Sequence, residues 1–416
     1  MVLLITAYCT LWKFPYIRQY RPGWIVNRGP SLTPIPNFQL VPVMRNISGY
    51  LILLLFGFTL TTCDKSSILD TYPFPEGEIF FTSAPIDVQG VKWFIGMGEP
   101  NVLPKDHGGF VLKNPYVLPA GVPVLAVADG VVIMASHGTR AIPSIPDAPQ
   151  ALWGTEYEDH LLELKVSKNV TVNYAHVSAF HPAIAAQIGD LPKDEVGHHV
   201  EVVVKAGDTL GFVGPHAAMD FSATDRSLNL NFLNPSRYPG DHIYSADVLS
   251  YFREPVLSQL LSITLRQEPP RGGKVDYDVA GRIAGNWFLE GTTNYVQWSR
   301  QLAIVYHHIY SDRITIADGS PMRDVPGNEN PGRPDIYWVK GNTPLPETID
   351  VGDGMVKYRL IPVHDPNDPN PYIEEQQPVV GEMLVHMINE GSMRIEFFKG
   401  TSAPATFTSQ AKVYVR

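Results

Sequence analysis

Three short segments of the sequence carry side chains able to bind a metal ion or to transfer protons. They hold His107 in KDHGGFV, His176 in VNYAHVS and Asp220 in HAAMDFSATD. Imidazole nitrogens and carboxylate oxygens are ligands for Zn²⁺, and the same groups act as general acids and bases near neutral pH. Residues this far apart in sequence can act together only if the fold gathers them, so the elements that carry them decide what they do.

Patterns typical of β-strands surround the three segments. AGVPVLAVADGVVIMA (120–135) predicts two strands with a turn at Asp129-Gly130, and VEVVVKAGDTLGFVG (200–214) repeats this arrangement with a turn at Gly207-Asp208. DHLLELKVSKNVTVNYAHVSAF (159–180) predicts a hairpin that turns at 167–169. Alternation along its second strand predicts that four residues share one face: Val170, Val172, Tyr174 and His176.

These strand segments resemble the sequence patterns of the lysostaphin/LytM-type zinc endopeptidases over about residues 100–235. AGVPVLAVADGVVI resembles G-x-P-V-x-A-x-x-D-G-x-V, VNYAHVS resembles Y-A-H-L-S, and VKAGDTLGFVG resembles V-x-x-G-x-x-I-G-x-x-G. The resemblance implies an antiparallel β domain of the kind that cleaves peptide cross-links in bacterial cell walls.

The resemblance also implies a role for each matching position. In active members a His, an Asp four residues later and the second His of a His-x-His pair bind zinc, while the first His of the pair and the Y-A-H histidine assist the reaction. His107 matches the first ligand and His176 the Y-A-H histidine. The Asp position falls on Val111, which cannot bind a metal, and the His-x-His pair falls on Ala218 and Asp220.

Two interpretations of this region remain open. The apolar residues at one ligand position and one base position favour a domain without catalytic zinc, in which the two histidines are structural. Alternatively, His107 and Asp220 bind zinc with a third ligand, for which His216 and Asp106 are the candidates, and His176 supports the transition state. In this alternative His216 replaces the missing base after a local shift.

A closer resemblance concerns a branch of bacterial envelope proteins, carried by GEPNVLPKDHGGF, MDFSATD and FLNPSRYPGD. It implies that four residues form a site of their own: Asp106, His107, Asp220 and Asp225. Five other histidines are expected at the surface or in turns: His160, His181, His198, His199 and His242.

Charge and cysteine content exclude other classes of protein. The 416-residue chain has a net charge of −10 and no basic block after residue 45, so nucleic acid is not an expected partner. Its cysteines, Cys9 and Cys63, lie outside the expected globular part, which excludes a disulfide framework and a thiolate zinc site there.

The N-terminal region is typical of an exported protein. Residues 44–63 combine Arg45, a short apolar run and LTTC, which resembles a lipobox in which Cys63 is lipidated. A plain membrane anchor and a signal without lipid remain alternatives. Residues 1–43 are interpreted as an upstream extension and 64–100 as a lead-in, so the expected location is the cell envelope, with a lipid anchor in the membrane.

The C-terminal region predicts further β structure. Residues 247–267 predict a helix that Pro255 kinks or splits, followed by a linker to residue 273. About seven short alternating strands in 274–416 predict an antiparallel barrel or sandwich. The adjacent His307 and His308 are expected to face opposite sides of a strand, one buried and one exposed.

The sequence therefore predicts a mainly β protein with few helices, in which 101–246 form a LytM-like domain and 274–416 a second β domain. The expected function is binding or regulation at the cell wall, with peptidoglycan, a wall peptide or a wall hydrolase as partner. The first alternative is an active zinc endopeptidase with a variant metal site. The second is an extracellular ligand-binding barrel.

Overall fold

The computed structural model of the protein describes residues 67–145, 147–293, 295, 297–319, 335–364, 372–401 and 403–416. The chain forms two compact units, Met1–Thr71 and Tyr72–Arg416. In the first, the described part contains one short helix, α1 (Ile68–Thr71). The expected extension 1–43 and signal segment 44–63, with Cys63, lie outside the described residues. Among the described helices, none has the length and apolar character needed to cross a membrane.

The second unit begins with two antiparallel sheets. Their elements, with one helix, are β1 (Val91–Ile95), β2 (Pro100–Asn101), β3 (Leu103–Pro104), β4 (Gly108–Leu112), β5 (Val122–Leu125), β6 (Gly130–Ala141), β7 (Glu156–Lys165), β8 (Val170–Val177), β9 (Ala179–Phe180), α2 (Pro182–Ile188), β10 (His198–Val204), β11 (Thr209–Val213), β12 (Ala218–Asp225) and β13 (Ser245–Ala246). The larger sheet has the order β1-β4-β12-β8-β7-β6-β10, with β13 added to β12, and the smaller sheet has the order β5-β11-β9. Strands β2 and β3 form a separate ribbon.

The two sheets pack face to face around one hydrophobic core. Tyr174 and Phe221 from the larger sheet and Leu210 and Val213 from the smaller one are fully buried in the same cluster. Strand β12 alternates as a one-sided sheet requires, since Met219, Phe221 and Ala223 are buried while the residues between them are partly exposed. One face of the larger sheet is therefore committed to the core and the other is available for a site.

The predicted hairpin at 159–180 is confirmed, because β7 and β8 pair antiparallel. The other two strand pairs are different: β5 and β6 lie in different sheets, as do β10 and β11. The turns at Asp129-Gly130 and Gly207-Asp208 thus carry the chain from one sheet to the other. The sequence identified these strands but not their partners.

The predicted helix over 247–267 is wrong as a single element. The chain forms a 3-10 turn at Val248–Tyr251 and a short helix, α3 (Val256–Ser262). Between them Phe252 is extended, fully buried and bridged to Phe81. Pro255 immediately precedes α3, where its missing N–H costs nothing.

The C-terminal region is a closed antiparallel barrel. Its strands are β14 (Gly285–Leu289), β15 (Gln301–Tyr306), β16 (Ile314–Asp318), β17 (Asp335–Val339), β18 (Val356–Pro362), β19 (Gly381–Asn389), β20 (Ser392–Lys399) and β21 (Lys412–Val415). Each strand pairs with the next in sequence, and β21 closes on β14. The mainly β fold with few helices is confirmed, and a barrel replaces the sandwich alternative.

Side chains fill the barrel interior. All eight strands contribute to one buried cluster, which includes Trp287, Tyr337, Tyr358 and Tyr414. At one end the guanidinium of Arg416 lies 3.9 Å from the centroid of the Trp287 ring. Burial lowers the pKa of Arg416 to about 10. Large side chains occupy the space that a carried ligand would need.

The expectation for the histidine pair after β15 is wrong. His307 and His308 are both buried, 4% and 7% exposed, because β15 ends at Tyr306 and the pair lies in the following turn. His307 Nδ1 accepts hydrogen bonds from the backbone N–H groups of Ile309 and Tyr310, each at 3.2 Å. Arg266 donates to the His308 carbonyl at 3.0 Å. These histidines hold the turn and its connection to the segment before the barrel.

Candidate functional site

The strand order brings the three sequence segments together on the larger sheet. Strand β12 lies between β4 and β8, and Asp220 pairs with Gly109 on one side and with Ala175 on the other. His107 immediately precedes β4, and His176 is near the end of β8. Asp220 is thus placed between the two histidines.

A β-bulge aims His176 at this position. The β7–β8 register moves from Leu161↔Ala175 to His160↔Val177, which leaves His176 as the extra residue. Its φ is +64°, a left-handed conformation that non-glycine residues rarely adopt. Val177 is fully buried in its place. The prediction that His176 shares a face with Val170, Val172 and Tyr174 is therefore wrong, since the bulge takes its side chain out of the core.

Both histidines contact one oxygen of Asp220. His107 Nε2 lies 3.5 Å from Asp220 Oδ2, and His176 Nε2 lies 3.2 Å from the same atom. The three side chains are 13–31% exposed, so they line a cleft that water can reach.

Carboxylates also hold the other nitrogen of each ring. His107 Nδ1 donates to Asp106 Oδ1 at 2.8 Å, and His176 Nδ1 donates to Asp159 Oδ1 at 3.1 Å. The second oxygen of Asp159 accepts from Arg140 Nε. We call these six residues the cleft network: Asp106, His107, Asp220, His176, Asp159 and Arg140.

The carboxylates of the cleft network favour protonated imidazoles. Burial disfavours the charged ring of His176, but hydrogen bonds to Asp159 and Asp220 outweigh it and raise its pKa to about 9. Burial likewise opposes protonation of His107, and its bond to Asp106 with the charge of Asp220 raises its pKa. The pKa of Asp220 is lowered, because both rings stabilise its charge against burial. Near neutral pH the protonated ring of His176 is therefore paired with the carboxylates of Asp159 and Asp220.

His216 joins the site as a neutral ring. It stacks on His176 with ring centroids 3.8 Å apart, and its Nδ1 donates to the Ala218 carbonyl at 2.7 Å. Burial and the positive charge of His176 lower its pKa to about 4. The structure therefore brings His216 into the cleft, where it covers His176.

Two apolar residues lie side by side next to the cleft network. Val111 pairs with Ala218, and alternation puts both on the face that carries Asp220. Both are partly exposed. These are the positions at which the LytM-type pattern has a zinc-binding Asp and a catalytic His, so the cleft has an apolar floor where that family has ligands and base.

The cleft donors do not fit a catalytic zinc. A catalytic zinc takes three protein ligands and leaves one position open. His107 and Asp220 supply two, and Val111 stands at the third position. Among the residues that the structure describes, three ligand atoms within 4.8 Å of one another occur elsewhere, at His137, Glu158 and His160.

Asp225 lies apart from the predicted site. It pairs with Val170 at the other end of β12, about 17 Å from Asp220 at the usual strand rise. Its carboxylate accepts from Ser227 Oγ and from Tyr251 Oη, both at 2.6 Å. Its role is to hold the turn after β12, so the expected four-residue site keeps only Asp106, His107 and Asp220.

Sequence reasoning missed several members of the site region. Asp159 and Arg140 belong to the cleft network although no pattern singled them out, since neither lies in a segment that carries the resemblance. His242 is 2% exposed, and its Nδ1 lies 3.8 Å from Asp106 Oδ2. His160 is 7% exposed. The expectation of a surface or turn position is therefore wrong for His160, whereas His242 is in a 3-10 turn, as one of the two alternatives expected, but is buried there.

No protein-family model matches the chain, and no curated protein matches it. Among solved structures, the catalytic domain of a mutant of the prophage-encoded M23 protein EnpA from Enterococcus faecalis is similar, with 18% sequence identity and a TM-score of 0.18. The match covers 35% of this chain and 92% of that chain. A TM-score this low does not establish a common fold.

Proposed function

We propose that this protein is a cell-envelope lipoprotein whose LytM-like domain binds cell-wall peptide, or regulates a wall hydrolase, without cleaving peptide bonds. The observation that carries the proposal is the arrangement of Asp220. Its carboxylate is held by two imidazoles, beside an apolar floor of Val111 and Ala218, at the place where the LytM-type pattern binds zinc.

The charge state of the cleft network supports binding over metal-dependent hydrolysis. A metal ion must displace the protons of its histidine ligands, so an imidazole with a raised pKa is a poor ligand at neutral pH. In His107 and His176 the carboxylates that hold Nδ1 and Nε2 together stabilise the proton. The cleft network therefore favours the protonated form of both imidazoles, which pairs with an anion.

The same features suit recognition of a peptide. The rims of the cleft offer the guanidinium of Arg140, which is 40% exposed, and the carboxylate of Asp220, 31% exposed. Wall peptides contain amide groups and carboxylates, which such groups bind by charge-assisted hydrogen bonds. Between these groups the apolar floor accepts a small side chain.

The rival function is a zinc endopeptidase that uses His107, Asp220 and a third ligand. One observation favours it: Asp106 orients His107 as an outer carboxylate orients a zinc-binding histidine in metalloenzymes. Carriage of a small molecule by the barrel has less support, because the described strands fill its interior.

Anchoring at Cys63 belongs to the same proposal and rests on the sequence alone. We expect the native protein to begin at a lipid-modified Cys63, and Cys63→Ser to release it from membranes. Mass spectrometry of the N-terminal peptide measures this directly. An unmodified cysteine, or peptides from residues 1–43, would refute it.

The binding function is tested by sedimentation with purified peptidoglycan. Val111→Trp fills the cleft floor and should weaken binding by about 10-fold or more, since a buried aromatic ring displaces the bound peptide. The matched control is Val203→Trp, an exposed strand position on β10 at 43% exposure, which should bind like the wild type.

Three outcomes would count against the proposal. Equal binding by both tryptophan variants would move the binding surface away from the cleft. If the wild type neither sediments with peptidoglycan nor binds a purified wall hydrolase, the proposed binding function is refuted. Cleavage of muropeptides by the wild type, abolished in His176→Ala, would establish the zinc endopeptidase instead.

A further inference from the structure

A second group of ligand-type side chains lies on the β6–β7 hairpin. His137 in β6 is directly opposite His160 in β7, and their ring centroids are 4.7 Å apart. Glu158 is two residues before His160, and its Oε2 contacts His137 Nε2. One ligand atom from each of the three residues lies within 4.8 Å of the others.

This group is on the opposite face of the hairpin from the cleft. Side chains alternate along β7, so Glu158 and His160 share a face with the buried Leu162, whereas Asp159 faces the cleft and His176. The ring of Phe180 covers His160 at 4.1 Å between centroids, which places His160 against the side of the sheet that faces the smaller sheet. The two groups therefore share a strand but no residue.

Backbone carbonyls fix the orientation of both rings. His160 Nδ1 donates to the Ser136 carbonyl at 3.2 Å, and His137 Nδ1 faces the Leu191 carbonyl at 3.4 Å. A hydrogen bond from Nδ1 to a carbonyl leaves the lone pair on Nε2, which is the arrangement found around metal-binding histidines. In the cleft, carboxylates hold the Nδ1 atoms instead, and both Nε2 atoms contact Asp220.

We infer that His137, Glu158 and His160 form a zinc-binding site on the face of the β6–β7 hairpin opposite the cleft. Two imidazole nitrogens and one carboxylate oxygen are a donor set suited to Zn²⁺, with water in the fourth position. Glu158 is 42% exposed in its side chain, so the fourth position faces solvent.

The neighbouring charges leave the site accessible to the ion. Lys193 Nζ lies 2.6 Å from Glu158 Oε1, which leaves Oε2 to face His137. Binding of Zn²⁺ joins β6 to β7, and the 190–195 loop contacts the same hairpin through a hydrogen bond from the Glu195 N–H to the His137 carbonyl at 3.1 Å.

The site has a structural role for the cleft. Asp159 lies between two of the proposed ligands and bonds His176 from the other face. A metal ion that fixes Glu158 and His160 also fixes the backbone that positions Asp159. The zinc site thus supports the peptide-binding cleft without touching what binds there.

The test is Zn²⁺ binding by the purified full chain without a histidine tag. We expect about one zinc per chain, and Co²⁺ in its place should give the absorption of a tetrahedral site with nitrogen and oxygen ligands. His137→Gln and Glu158→Gln should each weaken Zn²⁺ binding by about 100-fold. Glu158 is the more exposed of the two, so Glu158→Gln keeps the test valid if His137→Gln fails to fold.

Two controls separate this site from other histidine–carboxylate pairs. His199→Gln removes an exposed histidine of β10 whose Nε2 lies 3.2 Å from Glu201 Oε1, and it should leave binding unchanged. Asp220→Asn alters the cleft and should also leave it unchanged. Absence of bound zinc at micromolar Zn²⁺ would overturn the inference. So would zinc that is lost in Asp220→Asn but retained in Glu158→Gln.

Discussion

The two faces of the β6–β7 hairpin use the same side-chain types in opposite ways. On the cleft face, each imidazole lies between two carboxylates, and the pKa of His176 is raised to about 9. On the opposite face, backbone carbonyls hold the Nδ1 atoms, and burial lowers the pKa of His160. The group that holds Nδ1 therefore differs between the two faces: it is a carboxylate in the cleft network and a backbone carbonyl at the proposed metal site.

This difference teaches that histidines and acids near one another do not by themselves identify a metal site. His107, His176 and Asp220 match or replace residues of a zinc-enzyme pattern, yet their arrangement favours protons. His137, Glu158 and His160 match no part of that pattern, yet their donor atoms converge. Four predictions test the distinction, beginning with the largest expected effect.

The largest effect should come from rebuilding the LytM-type ligands in the cleft. Val111→Asp, Ala218→His and Asp220→His together replace the apolar floor and the central carboxylate by the family's donors. In a Glu158→Gln background, we expect zinc in the cleft to rise from none to about one per chain, because three ligands then converge. Metal analysis measures this, and cleavage of muropeptides tests whether activity follows. A triple variant that folds but binds no zinc would show that more than these ligands separates the cleft from a metal site.

The next effect is loss of the central charge. Asp220→Asn keeps the shape of the side chain but leaves the two imidazoles without their shared anion, so it should lower the free energy of unfolding at pH 7 by about 2 kcal/mol. The His176 pKa should fall toward its ordinary value. Urea denaturation and NMR titration of the ring measure the two effects. The exposed Asp190→Asn is the matched control, and equal effects of the two variants would contradict the ion-pair network.

A smaller effect concerns pH. The pKa of His176 is higher in the folded protein, about 9, than its ordinary value of 6.5, so its contribution is fully present below about pH 6.5 and is lost as pH rises through about 9. Asp159 and Asp220 face the ring as anions, and the neutral His216 covers it.

Wild-type protein should therefore lose about 1–2 kcal/mol of unfolding free energy between pH 6.5 and 9.5 that His176→Gln does not lose. His107 changes stability in the same direction in both proteins, so the difference between them isolates His176. Parallel pH profiles of the unfolding free energy for the two proteins would show that the neighbouring carboxylates do not stabilise the protonated form of His176.

The smallest effect is expected at the exposed end of the cleft network. Arg140→Gln removes a cation that is 40% exposed and screened by water, so stability should change by less than about 1 kcal/mol. The His176 pKa should rise slightly, because Asp159 then has one positive partner fewer. NMR titration detects this change. A fall in the His176 pKa would contradict the proposal that Arg140 acts on His176 through the charge of Asp159.

Much of the fold was predictable because burial leaves a regular pattern in strands. Val170, Val172 and Tyr174 are buried at every second position, whereas most of the barrel strands, such as β15 and β16, are buried at consecutive positions and are marked by their short apolar runs. Strand partners were not predictable for β5 and β6, since a short turn suits a hairpin and a crossing between sheets equally well. The helix at 247–267 failed because its apolar spacing comes from a buried extended segment next to a short helix.

The candidate site was predictable only where a motif marks it. His107, His176 and Asp220 lie in segments with a recognisable pattern, and the structure brings them together. Asp159 and Arg140 depend on the register between β6, β7 and β8, which sequence patterns do not supply. The bulge that directs His176 into the cleft has no signal in the residue types around it.

The run Glu158-Asp159-His160 has a consequence for how this sequence can change over time. Successive residues of one strand serve opposite faces, so inserting or deleting a single residue in β7 would send Asp159 to the face that carries the proposed metal site and its neighbours to the cleft. Both groups would be lost in one step. Gains and losses of residues should therefore accumulate in the 142–155 loop, while the lengths of β6 and β7 stay constant among descendants of this chain.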